Sequence, residues 1–265
     1  MKTLRLGIST CPNDTFIYEY LIQGLPHSSI QWQVTYADVQ TLNEMVLANQ
    51  LDVAKVSCGV LALVQDAYQV LAAGGAIGYG CGPLLLSSKK QEFSLTKNTL
   101  LPGKNTTAAQ LFRFWMAQEH SSQELRVEYK NFDLIYRDLQ QQAVHQGVVI
   151  HEHRFTWAQD GLYLLQDLGA YFELKTGAPI PLGCTVVSRR LSDALKSEVQ
   201  SEIQKSLRLA QARSSVVTPY IKSLAKIESD EIIKKHIKMF VTDFSYDMGE
   251  KGKSALEILF LTLQK

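Results

Sequence analysis

Two rhythms alternate along this chain. Short runs rich in Val, Ile and Leu end at turn residues, and longer segments repeat apolar residues at helical spacing. Leu4 to Ser9 is the first apolar strand. Pro12 then suits the opening turn of a helix, where its missing N–H had no partner anyway. Thr10 or Cys11 is the cap, and Asp14 falls in the first turn, where a carboxylate complements the dipole. Ile30 to Tyr36 alternates apolar and polar and predicts a second strand. A helix from Ala37 to near Ala48, a short strand over 49–55 and a helix from Val60 to Tyr68 follow, with Ser57 as the natural cap of the last.

The glycine-rich stretch 72–83 predicts a flexible connector or a strand edge. Leu84 to Ser87 and Asn98 to Leu101 are strands, Ala108 to Gln118 a helix, Leu125 to Tyr129 a strand and Leu134 to Gln146 a helix stopped by Gly147. Val148-Val149-Ile150 is a buried strand that ends at His151. Gly161 to Gly169 predicts a strand and turn, Ala170 to Lys175 a helix and Leu182 to Ser188 a returning strand. Helices fill the remainder: Asp193 to Ala212, Val217 to Ile227, Asp230 to Phe240 and Glu250 to Gln264. Strands alternating with helices predict an α/β fold with a parallel or mostly parallel sheet. Crossings near residues 84–88 and 184–188 predict two lobes with a central cleft: 1–87 with 184–265, and an inserted 88–183.

Composition narrows the classes. Hydrophobic residues make up 46% of the chain, and 27 basic against 26 acidic residues leave a net charge of +1. No field of that size recruits nucleic acid or an acidic membrane, so the expected partner is a small molecule, with any anion held by local groups. Oligomeric state is not readable. Cys11, Cys58, Cys81 and Cys184 form no C-x-x-C pair, which removes zinc and thioredoxin-type readings. An even four leaves a secreted disulfide pair open, against which Cys11, Cys58 and Cys184 sit in apolar contexts where free cysteine acts as a small hydrophobe. The N-terminus enters a strand without an apolar signal core, and no apolar run approaches a membrane span; both predict a cytoplasmic protein.

Candidate chemistry gathers at strand ends. Open α/β sheets bind ligands at the carboxyl ends of their strands, where His151 stands, and imidazole has the pKa best suited to proton abstraction near neutral pH. Lys55, beside the helix start at Ser57, joins a point charge to amide donors; its plain alternative is a solvated surface lysine. Thr106-Thr107 open a second anion-ready helix start, or a simple cap. Asn13 and Asp14 are further substrate-binding candidates, against the alternative of an ordinary αβ corner. A Walker loop is excluded, because Asn98 and Asn105 stand where it needs Gly and Ser or Thr, and the glycines of 72–83 lack dinucleotide spacing. His151 and His153 could share one side of a strand as metal ligands do, but no third ligand is evident. His27, His120, His145 and His236 sit in polar surroundings and are expected at the surface.

These motifs occur together and in order: Ser9-x-Cys11-Pro12-Asn13-Asp14-Thr15-Phe16, Asp38-Val39-x-Thr41-Leu42-Asn43, Lys55-x-Ser57, Gly74-Gly75-Ala76, Pro102-Gly103-x-x-Thr106-Thr107, Ile150-His151-Glu152-x-Arg154-Phe155-Thr156 and Phe244-Ser245-x-Asp247-x-Gly249-Glu250. Over nearly its whole length the chain resembles the 1,4-dihydroxy-6-naphthoate synthase family of the futalosine route to menaquinone. The resemblance implies a two-lobed fold of the type II periplasmic-binding-protein kind, turned to catalysis in the cytoplasm. It implies a lyase that converts cyclic dehypoxanthine futalosine, a carboxylated aromatic, to 1,4-dihydroxy-6-naphthoate and dihydroxyacetone, with neither metal nor redox cofactor. It implies His151 as proton acceptor, with Lys55, Val56, Ser57, Thr106 and Thr107 binding substrate. Thr10 stands where the family commonly has proline, and His153 has no family role. The rival functions are a solute-binding protein of the same fold and the pathway's sister dehydratase of chorismate-type substrates, which lacks the Cys-Pro-Asn-Asp-Thr-Phe run.

Overall fold

The computed structural model describes residues 2–120, 124 and 126–263. Leu125, expected to open a strand, and Gln264, expected to close the last helix, lie outside the described residues. The chain divides into two compact units, Met1–Gly78 with Pro181–Lys253 and Tyr79–Ile180 with Ser254–Lys265.

The first unit opens with β1 (Lys2–Ile8), α1 (Pro12–Gln23), β2 (Ile30–Tyr36), α2 (Val39–Leu47) and β3 (Val53–Ser57). A 3-10 turn (Cys58–Val60), α3 (Leu61–Val64), β4 (Tyr68–Val70) and β5 (Ala76–Gly78) follow. The second unit contains β6 (Leu84–Ser87), β7 (Thr99–Leu101), α4 (Thr107–Glu119), β8 (Val127–Tyr129), α5 (Phe132–Gln140), β9 (Gln146–Val149), a 3-10 segment (His151–Phe155), β10 (Tyr163–Asp167) and α6 (Leu168–Thr176). The chain returns to the first unit through β11 (Ile180–Ser188), α7 (Asp193–Ala212), α8 (Pro219–Leu224), α9 (Asp230–Phe240) and α10 (Asp243–Tyr246), and α11 (Gly249–Leu263) starts in the first unit and continues into residues of the second. No helix among the described residues is long and apolar enough to cross a membrane.

The first sheet runs β2-β1-β3-β11-β4, with β5 also on β11; the second runs β10-β6-β9-β7-β8. Both are mixed rather than mostly parallel. β1 lies parallel to β2 and β3, as βαβ connections require, but β11 is antiparallel to β3 and β4. In the second sheet β7 is parallel to β8 and β9, while β6 is antiparallel to β9 and β10. No local crossover helix sets the direction of β11 against β3 or of β6 against β9, so a pattern of alternating elements does not reveal it. β6 lies wholly within the second sheet, which is why the units divide at 78/79 rather than beside the strand at 84–87.

Two expected helices differ. The segment 60–68 is a 3-10 turn, one turn of α-helix and the start of β4. Tyr68 is drawn into the strand by burial, its hydroxyl donating to the Leu51 carbonyl at 2.6 Å. α5 stops at Gln140, and Gln142 takes a left-handed φ of 55°. Gln146 then joins β9 as a fully buried side chain, and its amide donates to Thr99 Oγ1 and the Ser94 carbonyl, both at 2.8 Å. A buried amide needs such partners, and only the folded sheet supplies them.

Each unit has its own core. Leu4, Leu6 and Ile8 of β1, Phe16, Ile17 and Leu21 of α1, Val199, Ile203 and Leu207 of α7 and Ile233 and Ile237 of α9 pack together in the first. Leu84, Leu86, Leu100, Ile135, Leu139 and Val149 form that of the second.

Candidate functional site

In the first unit, β1 delivers Ser9 to its carboxyl end and α1 begins three residues later. Cys11 occupies the cap position in extended backbone without a side-chain cap bond, and Pro12 opens the helix. Asn13 and Asp14, in the first turn, are both buried. Asp14 accepts from Ser9 Oγ at 2.7 Å on one oxygen and from Asn13 Nδ2 at 2.8 Å on the other. The Lys55 ammonium lies 3.6 Å from that second oxygen and donates to the Gly74 carbonyl. Lys55 is only 5% exposed, so it is not the solvated lysine of the plain alternative. It points inward from β3, and a buried ammonium persists only where a carboxylate and further acceptors meet it. Gly74 fits through its backbone: φ is +80°, and a Cβ there would stand 2.2 Å from Thr185 Oγ1 and 2.6 Å from the Tyr18 hydroxyl.

Val56 is a buried core side chain. Ser57 caps a single 3-10 turn, accepting from the Gly59 N–H at 3.3 Å, rather than the long helix expected, so little helix dipole adds to its local amides. Its own N–H is pinned by Asn43 Oδ1 at 3.0 Å. Asn43 is fully buried on α2, and this bond is the structural reason for its place in the motif. Burial, then the adjoining Cys184 thiol, hold the Cys58 thiol well above its ordinary range, and burial pushes Cys81 up to about 12. Neither is a thiolate nucleophile near neutral pH.

His236 corrects the sequence reading. It was expected at the surface; it is 1% exposed, on the inner face of α9, with Nε2 2.9 Å from Asn13 Oδ1 and its ring against Phe240. The lysines and acids flanking it in sequence face outward, and the helix turns the histidine in.

In the second unit, β9 leads through extended Ile150 into His151. His151 takes a left-handed φ of 58°, uncommon for a side chain with a Cβ. This conformation turns the chain out of the strand and into a 3-10 segment, so His151 and His153 do not share a strand face. His151 is partly exposed as a residue, with the Phe132 ring 4.8 Å from its own at 59°. His153 stacks on Tyr136 at 3.8 Å and 11°, with Nε2 3.5 Å from Asp133 Oδ1. Arg154 donates to the Gly82 carbonyl and pairs with Asp167 at 2.8 Å. Tyr136, whose phenol pKa is raised by burial and by its bond to Asp160, stays protonated and also meets Thr156 Oγ1 at 2.8 Å. His153, Arg154 and Thr156 thus fasten the turn that carries His151.

Thr106 caps α4: its Oγ1 accepts from Ala109 N at 3.2 Å and donates to the Gly103 carbonyl at 2.9 Å. That hydroxyl is used within the loop, and it already takes the Ala109 N–H from the first turn of this 13-residue helix. Thr107 is buried beside it.

Comparison with known proteins follows this geometry. A family model described as menaquinone biosynthesis matches residues 4–265. The chain is 36% identical over 260 residues to a 1,4-dihydroxy-6-naphtoate synthase of Thermus thermophilus, covering 98% of this chain and 93% of that one. The structure of protein AF1704 from Archaeoglobus fulgidus is similar at a TM-score of 0.91 and 25% identity, covering 99% of this chain and 97% of that one. The periplasmic aliphatic sulphonate binding protein SsuA from Escherichia coli is similar at a TM-score of 0.67 and 13% identity, covering 100% of this chain and 87% of that one, a likeness of fold. The fold is therefore of the periplasmic-binding-protein kind, and the chain belongs to the menaquinone biosynthesis family.

Proposed function

We propose that this enzyme is a 1,4-dihydroxy-6-naphthoate synthase, a carbon–carbon lyase acting on cyclic dehypoxanthine futalosine in the cytoplasm, with a small carboxylated substrate and neither nucleic acid nor membrane as partner. The observation that carries the reading is the 36% identity to a synthase of that name across 98% of the chain. In the mechanism, neutral His151 takes a proton from a C–H or O–H of the substrate. The sugar-derived ring opens, the bond to the three-carbon piece breaks, and dihydroxyacetone leaves as the new ring becomes aromatic. Two features support His151 as the base: its place at the carboxyl end of β9, and the fastened turn that carries it as a partly exposed residue. General-base help supplies about 10²–10⁴-fold, and substrate positioning supplies the rest. Lys55 and the Ser57 turn are one substrate-binding group, and the α4 start at Thr106 and Thr107 is another.

The test is incubation of the chain with cyclic dehypoxanthine futalosine. The expected result is the naphthoate chromophore and dihydroxyacetone in equal amounts. Turnover of a chorismate-type substrate instead would indicate the dehydratase. A ligand-induced melting shift without product would indicate a binding protein.

A further inference from the structure

His236 is a buried titratable group that the proposed reaction leaves unused. The face of α9 around it is otherwise apolar, with Ile233, Ile237 and Phe240 buried. A histidine in that setting needs a polar partner, and it has one in Asn13 Oδ1 at 2.9 Å. Asn13 uses its other end to donate to Asp14 at 2.8 Å, so its oxygen is the acceptor and His236 Nε2–H the donor. This bond decides which way the Asn13 amide points. Turned over, the amide would set its oxygen against the Asp14 carboxylate. Asp14 in turn faces the Lys55 ammonium.

We infer that His236 is a positioning residue for Lys55, acting through Asn13 and Asp14. The ammonium has three N–H groups; one donates to Gly74 O, a second faces Asp14 Oδ1 as its counter-charge at 3.6 Å, beyond hydrogen-bond length, and the direction of the third follows from those two. That third N–H is the one offered to an acceptor oxygen of the substrate, a carboxylate or hydroxyl. This last step rests on the proposed role of Lys55 in substrate binding; the link from His236 to Lys55 does not.

The experiment uses the full chain labelled with 15Nζ-lysine, wild type against His236→Leu and His236→Gln, together with kcat and KM on cyclic dehypoxanthine futalosine. In His236→Leu the Lys55 Nζ resonance shifts, and KM rises about tenfold while kcat changes little, the size expected for one disturbed charge-assisted hydrogen bond. His236→Gln, whose side-chain amide can donate to Asn13, moves both values back toward wild type. An unmoved Lys55 resonance in a folded His236→Leu protein overturns the inference, whatever happens to its melting temperature. If that variant does not fold, Asn13→Ala cuts the same chain one link further on and is judged by the same resonance. A moved resonance with unchanged KM keeps the positioning link and instead removes Lys55 from substrate binding.

Discussion

The two units place polar groups at strand ends in opposite ways. In the first, Ser9, Asn13, Asp14, Lys55 and His236 are all buried and joined to one another, and Ser57 is pinned from behind by Asn43. In the second, His151 stands partly exposed on a left-handed residue, while its sequence neighbours are fastened to Tyr136, Gly82 and Asp167. A buried charge is held by a counter-charge and acceptors around it, because left alone it would cost several kcal/mol. A base that must meet a proton keeps its ring accessible, and the strain of about 1–3 kcal/mol is borne by the backbone beneath it. Removing a side chain should therefore damage stability and substrate binding in the first unit, and the chemical step in the second.

The largest expected effect is on rate. His151→Asn should lower kcat by about 10²–10⁴-fold with the melting temperature unchanged or raised, since asparagine tolerates left-handed φ well. Near-normal turnover would remove the base assignment. Next is Lys55→Ala, which leaves the Asp14 carboxylate buried without its cation and should cost about 3–5 kcal/mol in urea unfolding. Lys55→Met combined with Asp14→Asn should cost much less than the sum of the single changes. A change in KM with unaltered stability would mean that the buried pair is not structural, and the contrast between units would fail.

Two glycines sharpen the comparison. Gly74→Ala forces a Cβ against Thr185 and Tyr18 at φ +80° and should cost about 2–3 kcal/mol. Gly161 of the second unit has φ +74° with nothing within 4 Å of a Cβ, so Gly161→Ala should cost only about 1 kcal/mol. Equal losses by differential scanning would show that conformation, not packing, dominates at Gly74.

The smallest effect is a pH dependence in the first unit. Burial alone would raise the Asp52 pKa, but three Arg5 bonds, from Nε at 3.1 Å and from NH2 and the backbone N–H at 2.9 Å each, outweigh it and leave the carboxyl below its ordinary value. A lowered folded-state pKa gives stability that is present above the unfolded value of about 3.9 and lost as pH falls through the folded value. Unfolding followed between about pH 5 and pH 2 should therefore show acid sensitivity that Asp52→Asn reduces. An unchanged slope would assign the sensitivity to other carboxylates.

Elements governed by near neighbours were legible in advance. β2, α7 and α9 have the predicted bounds, because alternation, caps and helical periodicity are local signals. Ser192 and Ser229 cap α7 and α9 by accepting from N–H groups three residues on, as short-range chemistry requires. His151 was legible for the same reason: a β-branched run ends and a charged segment begins. The 3-10 form of that segment was not, nor was the short α3, since each depends on what the following strand is drawn to pair with.

Residue order alone set the run of strands and helices, the apolar faces and the strand-end position of the candidate base, since each depends on neighbours within a few positions. The folded chain decided the mixed direction of both sheets, the inward turn of His236 and the pairing of Lys55 with Asp14. Those outcomes join residues 223 and 41 positions apart (13 with 236, 14 with 55), and whether a polar side chain is solvated or buried depends on which distant partner arrives to satisfy it.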